Sequence, residues 1–243
     1  MTCKDRVALV TGAAGSGMGR SIALTLAREG AAVVVNYRKS EDAAKALVNH
    51  ITGRGGRAVS VQGDVFKAED CREVVDASVK EFGRIDICVV GPGAGWHPQP
   101  PNALDVSAAL ADAQQELAPL YNLMPIVLPS MYERKWGRIV GLALHPTKLP
   151  PAYAYNVAKA ARMAALRLAA PQAWANGVTV NAMCPGPVDG IGALETAVEQ
   201  CDHGLSWTER KNVSPQDIAE SVAFLCSEAG RFITCCELPF WFH

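Results

Sequence analysis

The chain has 243 residues, 49% of them hydrophobic and 19% charged. At this length about three-quarters of the unfolded surface can be buried, so one core needs neither disulfides nor metal. With 23 basic residues against 24 acidic ones, bulk attraction to nucleic acid or to an anionic membrane is excluded. A single globular domain over 1–243 is expected.

In chain order, an apolar run at 7–10 leads into Thr11-Gly12-Ala13-Ala14-Gly15-Ser16-Gly17-Met18-Gly19-Arg20, and helical periodicity then covers 20–29. Further apolar runs stand at 32–35, 58–61, 85–90, 138–143 and 178–182. They alternate with amphipathic stretches at 41–52, 68–82, 104–136 and 153–175. Continuous apolar strands separated by helices imply a parallel sheet covered on both faces. Right-handed crossovers then give an α/β, doubly wound Rossmann-type fold. Pro119, Pro125, Pro129 and Pro171 fall inside two of the helical stretches, where each removes a hydrogen bond and predicts a bend. Residues 188–212 are of mixed polarity and carry no readable motif; they are expected to form the lid over a substrate pocket.

Eight cysteines suggest disulfides or zinc until their positions are read. They contain no C-x-x-C pair and no histidine at ligand spacing, so buried free thiols and no metal site are expected. The vicinal Cys235-Cys236 pair would be oxidation-sensitive only if exposed. The N-terminus lacks an apolar signal region, and no uncharged apolar stretch is long enough to span a bilayer. A cytoplasmic protein that contacts neither membrane nor nucleic acid is the expectation.

Glycines at a strand-to-helix turn let backbone N–H groups approach a pyrophosphate, with the helix N-terminus adding partial positive charge. Gly12, Ser16, Gly17, Met18 and Gly19 are the candidates. The second strand ends about 20 residues on, at Asn36-Tyr37-Arg38, where ribose recognition belongs. The acid expected for a ribose 2′-hydroxyl is missing there. Tyr37 and Arg38 stand in its place, and Arg38 can bind a 2′-phosphate by charge-assisted hydrogen bonds. Its alternative is a merely solvated arginine. NADP(H) is favoured over NAD(H). Asp64 and Val65 end the third strand, where a carboxylate can meet an adenine amine. Gly91 and Gly93 end the fourth.

Tyr155 and Lys159 open the helix after the fifth strand, and i,i+4 spacing puts them on one face. A tyrosine that protonates a carbonyl at neutral pH needs its pKa lowered from about 10. Lys159 is the obvious cation, since one charge at about 4 Å supplies about 4 kcal/mol at an effective dielectric near 20. The alternative is a packing tyrosine beside an exposed lysine.

These pieces, with Gly137-Arg138-Ile139-Val140, Val180-Asn181-Ala182 and Pro185-Gly186, resemble a short-chain dehydrogenase/reductase of the NADP-preferring type over essentially the whole chain. The resemblance implies a seven-stranded parallel sheet, Tyr155 as acid/base and Lys159 on the nicotinamide ribose. It further implies Pro185, Gly186 and Val188 at the cofactor, and a homotetramer or dimer packed through the helices beginning near Leu104 and Tyr153. A small carbonyl or alcohol substrate follows, with hydrophobic surface suggested by Trp96, Leu144 and the loop beyond Pro187.

The departures from that pattern bear on chemistry. The glycine turn carries one extra residue. The family's Asn-Asn-Ala-Gly reads Val90-Gly91-Pro92-Gly93, and its final Asp-Gly-Gly is missing. The family's active-site serine falls on Leu144, which removes an oxyanion donor typically worth about 10²–10³ in rate. His145 is the nearest polar replacement, and His97 a second one at the substrate mouth or on the surface. The family's helix asparagine falls on Glu116. If buried, that carboxylate would partly neutralise Lys159; if solvated, it would not. Two readings therefore stand: an NADP(H)-dependent oxidoreductase, or a catalytically impaired cofactor-binding pseudoenzyme or regulatory subunit. A non-redox lyase or isomerase using Tyr155 as base has less support, because the glycine turn survives.

Overall fold

Strand β1 (Val7–Val10) shows how one apolar run feeds two cores. Ala8 and Val10 point into one layer and Leu9 into the other, the period-two alternation of a strand buried on both sides. The structure is a computed structural model that describes residues 1–144, 152–206, 210 and 212–240. In β2 (Ala32–Tyr37), Val33 and Val35 face the first layer and Val34 the second. In β4 (Ile87–Val90), Ile87 and Val89 oppose Cys88 and Val90 in the same way.

With β3 (Arg57–Gln62), β5 (Gly137–Leu142), β6 (Val178–Cys184) and β7 (Glu237–Pro239), these strands form a seven-stranded sheet in the order β3-β2-β1-β4-β5-β6-β7. Every adjacent pair is parallel. Helices α1 (Met18–Arg28), α2 (Glu41–Gly53), α6 (Leu194–His203) and α7 (Pro215–Cys226) cover one face, burying Ile22, Leu47, Ala197 and Ile218. Helices α3 (Ala68–Phe82), α4 (Val106–Glu133) and α5 (Tyr153–Trp174) cover the other with Val74, Leu123 and Leu166.

The strand order reverses between β1 and β4, which opens a crevice at the carboxyl edge of the sheet where such folds bind ligands. Thr11 fastens that crevice. Its hydroxyl donates to the Val89 carbonyl at 3.0 Å and accepts from the Gly91 N–H at 3.0 Å, linking the loops after β1 and β4.

Two expectations are corrected, on the 188–212 stretch and on the ends of two strands. The 188–212 stretch is not simply a loop. It contains α6, whose Ala197 and Cys201 are buried, and Val188 pairs with Val213 as an isolated bridge. Helices α4 and α5 each stay a single element, as expected, α4 continuing through Pro119, Pro125 and Pro129 and α5 through Pro171. The strands at 32–35 and 178–182 each extend two residues further, into the polar ends that line the crevice. Cys3, Cys71, Cys88, Cys184, Cys201 and Cys226 are buried free thiols, whereas Cys235 is exposed. Among the described residues no helix is long and apolar enough to cross a membrane, and no group of His, Cys, Asp and Glu is arranged to hold a metal.

Candidate active site

The turn after β1 is built so that backbone, rather than side chain, faces the crevice. Gly12 sits at φ +64°, a left-handed conformation that glycine adopts without strain. A Cβ on Gly19 would stand 2.7 Å from the Gly12 carbonyl oxygen, so the turn can close only on glycine there. Gly17 caps α1 with no side-chain hydrogen bond, and the first turn of α1 carries no acid. The N–H groups of that turn are therefore left for an anion. Space in front of Gly17 is open, since a Cβ there would meet no atom within 4 Å. Gly12, Ser16 and Gly17 are exposed, and Met18 is half-buried.

Asn36, the penultimate residue of β2, organises this end. Its side-chain oxygen accepts from the Gly12 N–H at 3.3 Å, and its amide donates to the carbonyls of Val61 and Gly63 at 3.3 and 3.1 Å. Tyr37 beside it is buried. Arg38 is 55% exposed and lies 3.8 Å from the Asp64 carboxylate, so the two polar residues expected at ribose and adenine face one another. Val65 is buried, and its carbonyl accepts from the Asn122 amide of α4 at 3.1 Å. Beyond β6, Pro185 is buried while Gly186 and Val188 are half-buried. The same loop reaches the glycine turn, where the Ile191 N–H donates to the Ser16 carbonyl at 3.1 Å.

The chemical end gathers where α4, α5 and the loop after β4 meet. Tyr155 is half-buried, with Trp96 packed edge-on at 4.8 Å between ring centroids. Lys159 Nζ lies 5.4 Å from the Tyr155 ring centroid, as the shared helical face predicts. Lys159 nevertheless points its charge elsewhere: Nζ is 2.7 Å from Glu116 Oε1. Glu116 is fully buried, so the solvent-facing alternative is overturned. Its oxygens are shared further. Oε1 accepts from the Ala94 N–H at 2.8 Å, and Oε2 stands 3.1 Å from Arg162 of α5.

Arg162 is a residue that sequence reasoning missed. It is wholly buried and donates to the carbonyls of Pro92 at 2.6 Å and Val90 at 2.7 Å as well as to Glu116. Gly93 is required beside it, because a Cβ there would meet Glu116 Oε1 at 2.5 Å and Arg162 at 2.8 Å. The available signal was an arginine three residues after Lys159, on the helical face that carries the tyrosine–lysine pair.

The expectation that Lys159 lowers the Tyr155 pKa is not met. Burial pushes the phenol up to about 12, and the Glu116 and Asp112 carboxylates push in the same direction. Burial also lowers the Lys159 ammonium against the opposing pull of Glu116. Leu144 is buried; His145 lies outside the described residues. The His97 side chain is 59% exposed, with Nδ1 3.1 Å from Asp112 Oδ1. Asp112 Oδ2 is buried without a hydrogen-bond partner among the described residues.

Residues 12–240 match the family model described as enoyl-(acyl carrier protein) reductase. The chain belongs to the short-chain dehydrogenase/reductase family. It is an enzyme of that oxidoreductase family. It is 32% identical over 243 residues to a 3-oxoacyl-(acyl-carrier-protein) reductase of Staphylococcus epidermidis, covering 95% of each chain. It is 33% identical over 242 residues to an A-factor type gamma-butyrolactone 1′-reductase of Streptomyces virginiae, covering 95% of this chain and 91% of that protein. Among solved structures, a 7α-hydroxysteroid dehydrogenase complexed with NADH and 7-oxo glycochenodeoxycholic acid superposes with a TM-score of 0.82 at 25% identity, over 98% of this chain and 93% of that one. A hydroxysteroid dehydrogenase from Escherichia coli superposes with a TM-score of 0.80 at 26% identity, over 98% and 95% of the two chains.

Proposed function

We propose that this short-chain dehydrogenase/reductase is NADP(H)-dependent and reduces a ketone or oxidises a secondary alcohol, with Tyr155 as its proton donor and acceptor. The observation that carries this reading is the pairing of Tyr155 with Lys159 on one face of α5, in a fold whose crevice holds an uncapped, glycine-lined helix N-terminus. That cradle fits a pyrophosphate, and the hydroxysteroid dehydrogenase solved with NADH supports a nicotinamide dinucleotide. The bound nicotinamide would supply or accept the hydride.

The chain's own residues do the rest. N–H groups from Gly12 and from Ser16 to Gly19 bind the pyrophosphate. Tyr37 and Arg38 hold the phosphorylated ribose; Asp64 and Val65 border the adenine. Gly91, Gly93, Pro185, Gly186 and Val188 line the nicotinamide side together with Lys159, and Tyr155 gives its proton to the carbonyl oxygen. Trp96 and Leu144 favour a substrate with apolar surface.

Following nicotinamide absorbance with NADPH and a panel of ketones, diketones and quinones tests this reading. One observation favours a second reading, a cofactor-binding protein impaired in hydride transfer: the 2.7 Å ion pair that turns Lys159 toward Glu116. Tight NADPH binding with no turnover on any substrate would decide for it.

Arg38 carries the cofactor preference. Arg38→Ala is expected to weaken NADPH about tenfold to hundredfold, the worth of a charge-assisted hydrogen bond, and to leave NADH unchanged. Equal binding of the two cofactors by the unaltered protein would overturn the NADP assignment.

We further infer a homo-oligomer, a dimer or tetramer, packed through α4 and α5. Leu110 and Tyr121 on α4 and Val157 and Leu168 on α5 are all exposed, at 67%, 62%, 49% and 77%. A monomer mass by light scattering would exclude it.

A further inference from the structure

A carboxylate beside the tyrosine–lysine pair is an electrostatic liability. It stabilises the phenol over the phenolate, and it draws to itself the ammonium that should act on the phenol. Here, however, the carboxylate has a second cation. Glu116 divides its two oxygens between Lys159, at 2.7 Å, and Arg162, at 3.1 Å. One anion between two cations leaves the cluster with a single net positive charge, the same as a lone lysine beside a neutral residue.

Arg162 is built in for this task. An arginine remains charged when buried, and its planar fork holds the Val90 and Pro92 carbonyls while it pairs with Glu116. The Ala94 N–H closes the cluster from the same loop. The charged groups that face Tyr155 come from α4, as Glu116 and Asp112, and from its own helix, as Lys159. From the loop after β4 come Trp96 on the ring and His97, which is held by Asp112.

We propose that Arg162 is a positioning residue of this site: it takes up part of the charge of Glu116, so that the carboxylate opposes the Tyr155 phenolate less than it would beside Lys159 alone. By the same contacts it fastens the loop after β4 to α5. The inference rests on Tyr155 being the proton-transferring residue, yet its electrostatic content can be read without any substrate.

The test is the fraction of Tyr155 phenolate at a fixed alkaline pH. It is recorded by near-ultraviolet absorbance within seconds of a pH jump, before unfolding, and each protein is referenced to its own Tyr155→Phe counterpart. Net cluster charge is +1 in the unaltered protein, 0 in Arg162→Met, +2 in Glu116→Gln and +1 again in the double variant. One unit charge several Å away at an effective dielectric near 20 changes an ionisation constant by about tenfold or more. Arg162→Met is therefore expected to show about tenfold less phenolate, Glu116→Gln about tenfold more, and the double variant the unaltered fraction.

Should Arg162→Met fail to fold, the double variant compared with Glu116→Gln carries the same test. The proposal is overturned if Arg162→Met ionises like the unaltered protein, or if the double variant ionises like Glu116→Gln. A purely structural arginine would lower stability yet leave Arg162→Met ionised like the unaltered protein and the double variant like Glu116→Gln. Failure of the underlying assignment looks different: ketone reduction would survive Tyr155→Phe whatever the phenolate fractions do.

Discussion

Tyr155→Phe is expected to lower the rate of NADPH-dependent ketone reduction by about 10²- to 10⁴-fold, the usual contribution of a positioned proton donor, with little change in NADPH affinity. The pH dependence should be one-sided. Burial, Glu116 and Asp112 hold the phenol up at about 12, so across neutral and moderately alkaline pH it stays protonated and ready to donate. Reduction should therefore run flat with respect to this group, and decline only as pH climbs toward 12 and the proton is lost. Alcohol oxidation needs the opposite form. Its rate should rise about tenfold per pH unit over the same range, because each unit gives tenfold more phenolate. With Tyr155 as the proposed proton donor, these electrostatics favour the protonated phenol that carbonyl reduction needs. A ketone-reduction profile that falls away between pH 7 and 9 would show a phenol far more acidic than its surroundings dictate. Turnover that survives the phenylalanine would remove Tyr155 from the chemistry.

The elements that position this site were legible because each follows from a local rule. Continuous apolar runs forecast a parallel sheet, and the glycine spacing after β1 forecast the turn. The Tyr155–Lys159 spacing forecast a shared face, met by the 5.4 Å approach of Nζ to the ring. Helix α7 could have been read too: Ser214-Pro215-Gln216-Asp217 carries an N-cap serine, a proline at the first position and an acid three residues on, and a full capping box forms there. What sequence could not give is the partner of a buried charge. Glu116 and Arg162 lie 46 residues apart on different helices, and no period or motif links them. The sequence identified the anion as a threat to Lys159; only the packing of α4 against α5 revealed the second cation that answers it. Asn36 was missed for the same reason, since its role joins the ends of three strands.

The energetic counterpart of that cation is the second large effect. Arg162→Met leaves Glu116 buried with Lys159 and one N–H, and strips the Val90 and Pro92 carbonyls of their donor. Removing one member of a buried ion pair typically destabilises by about 3–5 kcal/mol, because a charge is left uncompensated in a poorly solvating interior. In a domain of this size each kcal/mol moves the midpoint by about 2–4 °C, so thermal unfolding should begin about 6–20 °C lower. Two causes contribute, the carboxylate left with a single cation and the carbonyls left without the arginine, and a double-mutant cycle separates them. Glu116→Gln removes the carboxylate charge but leaves Arg162 on its carbonyls. In that background Arg162→Met should cost less, by a coupling of about 1–3 kcal/mol, the range found for residues in one network. The double variant would then be more stable than Arg162→Met alone. Strict additivity would mean that Arg162 serves the carbonyls only, with the charge of Glu116 carried by Lys159 unaided.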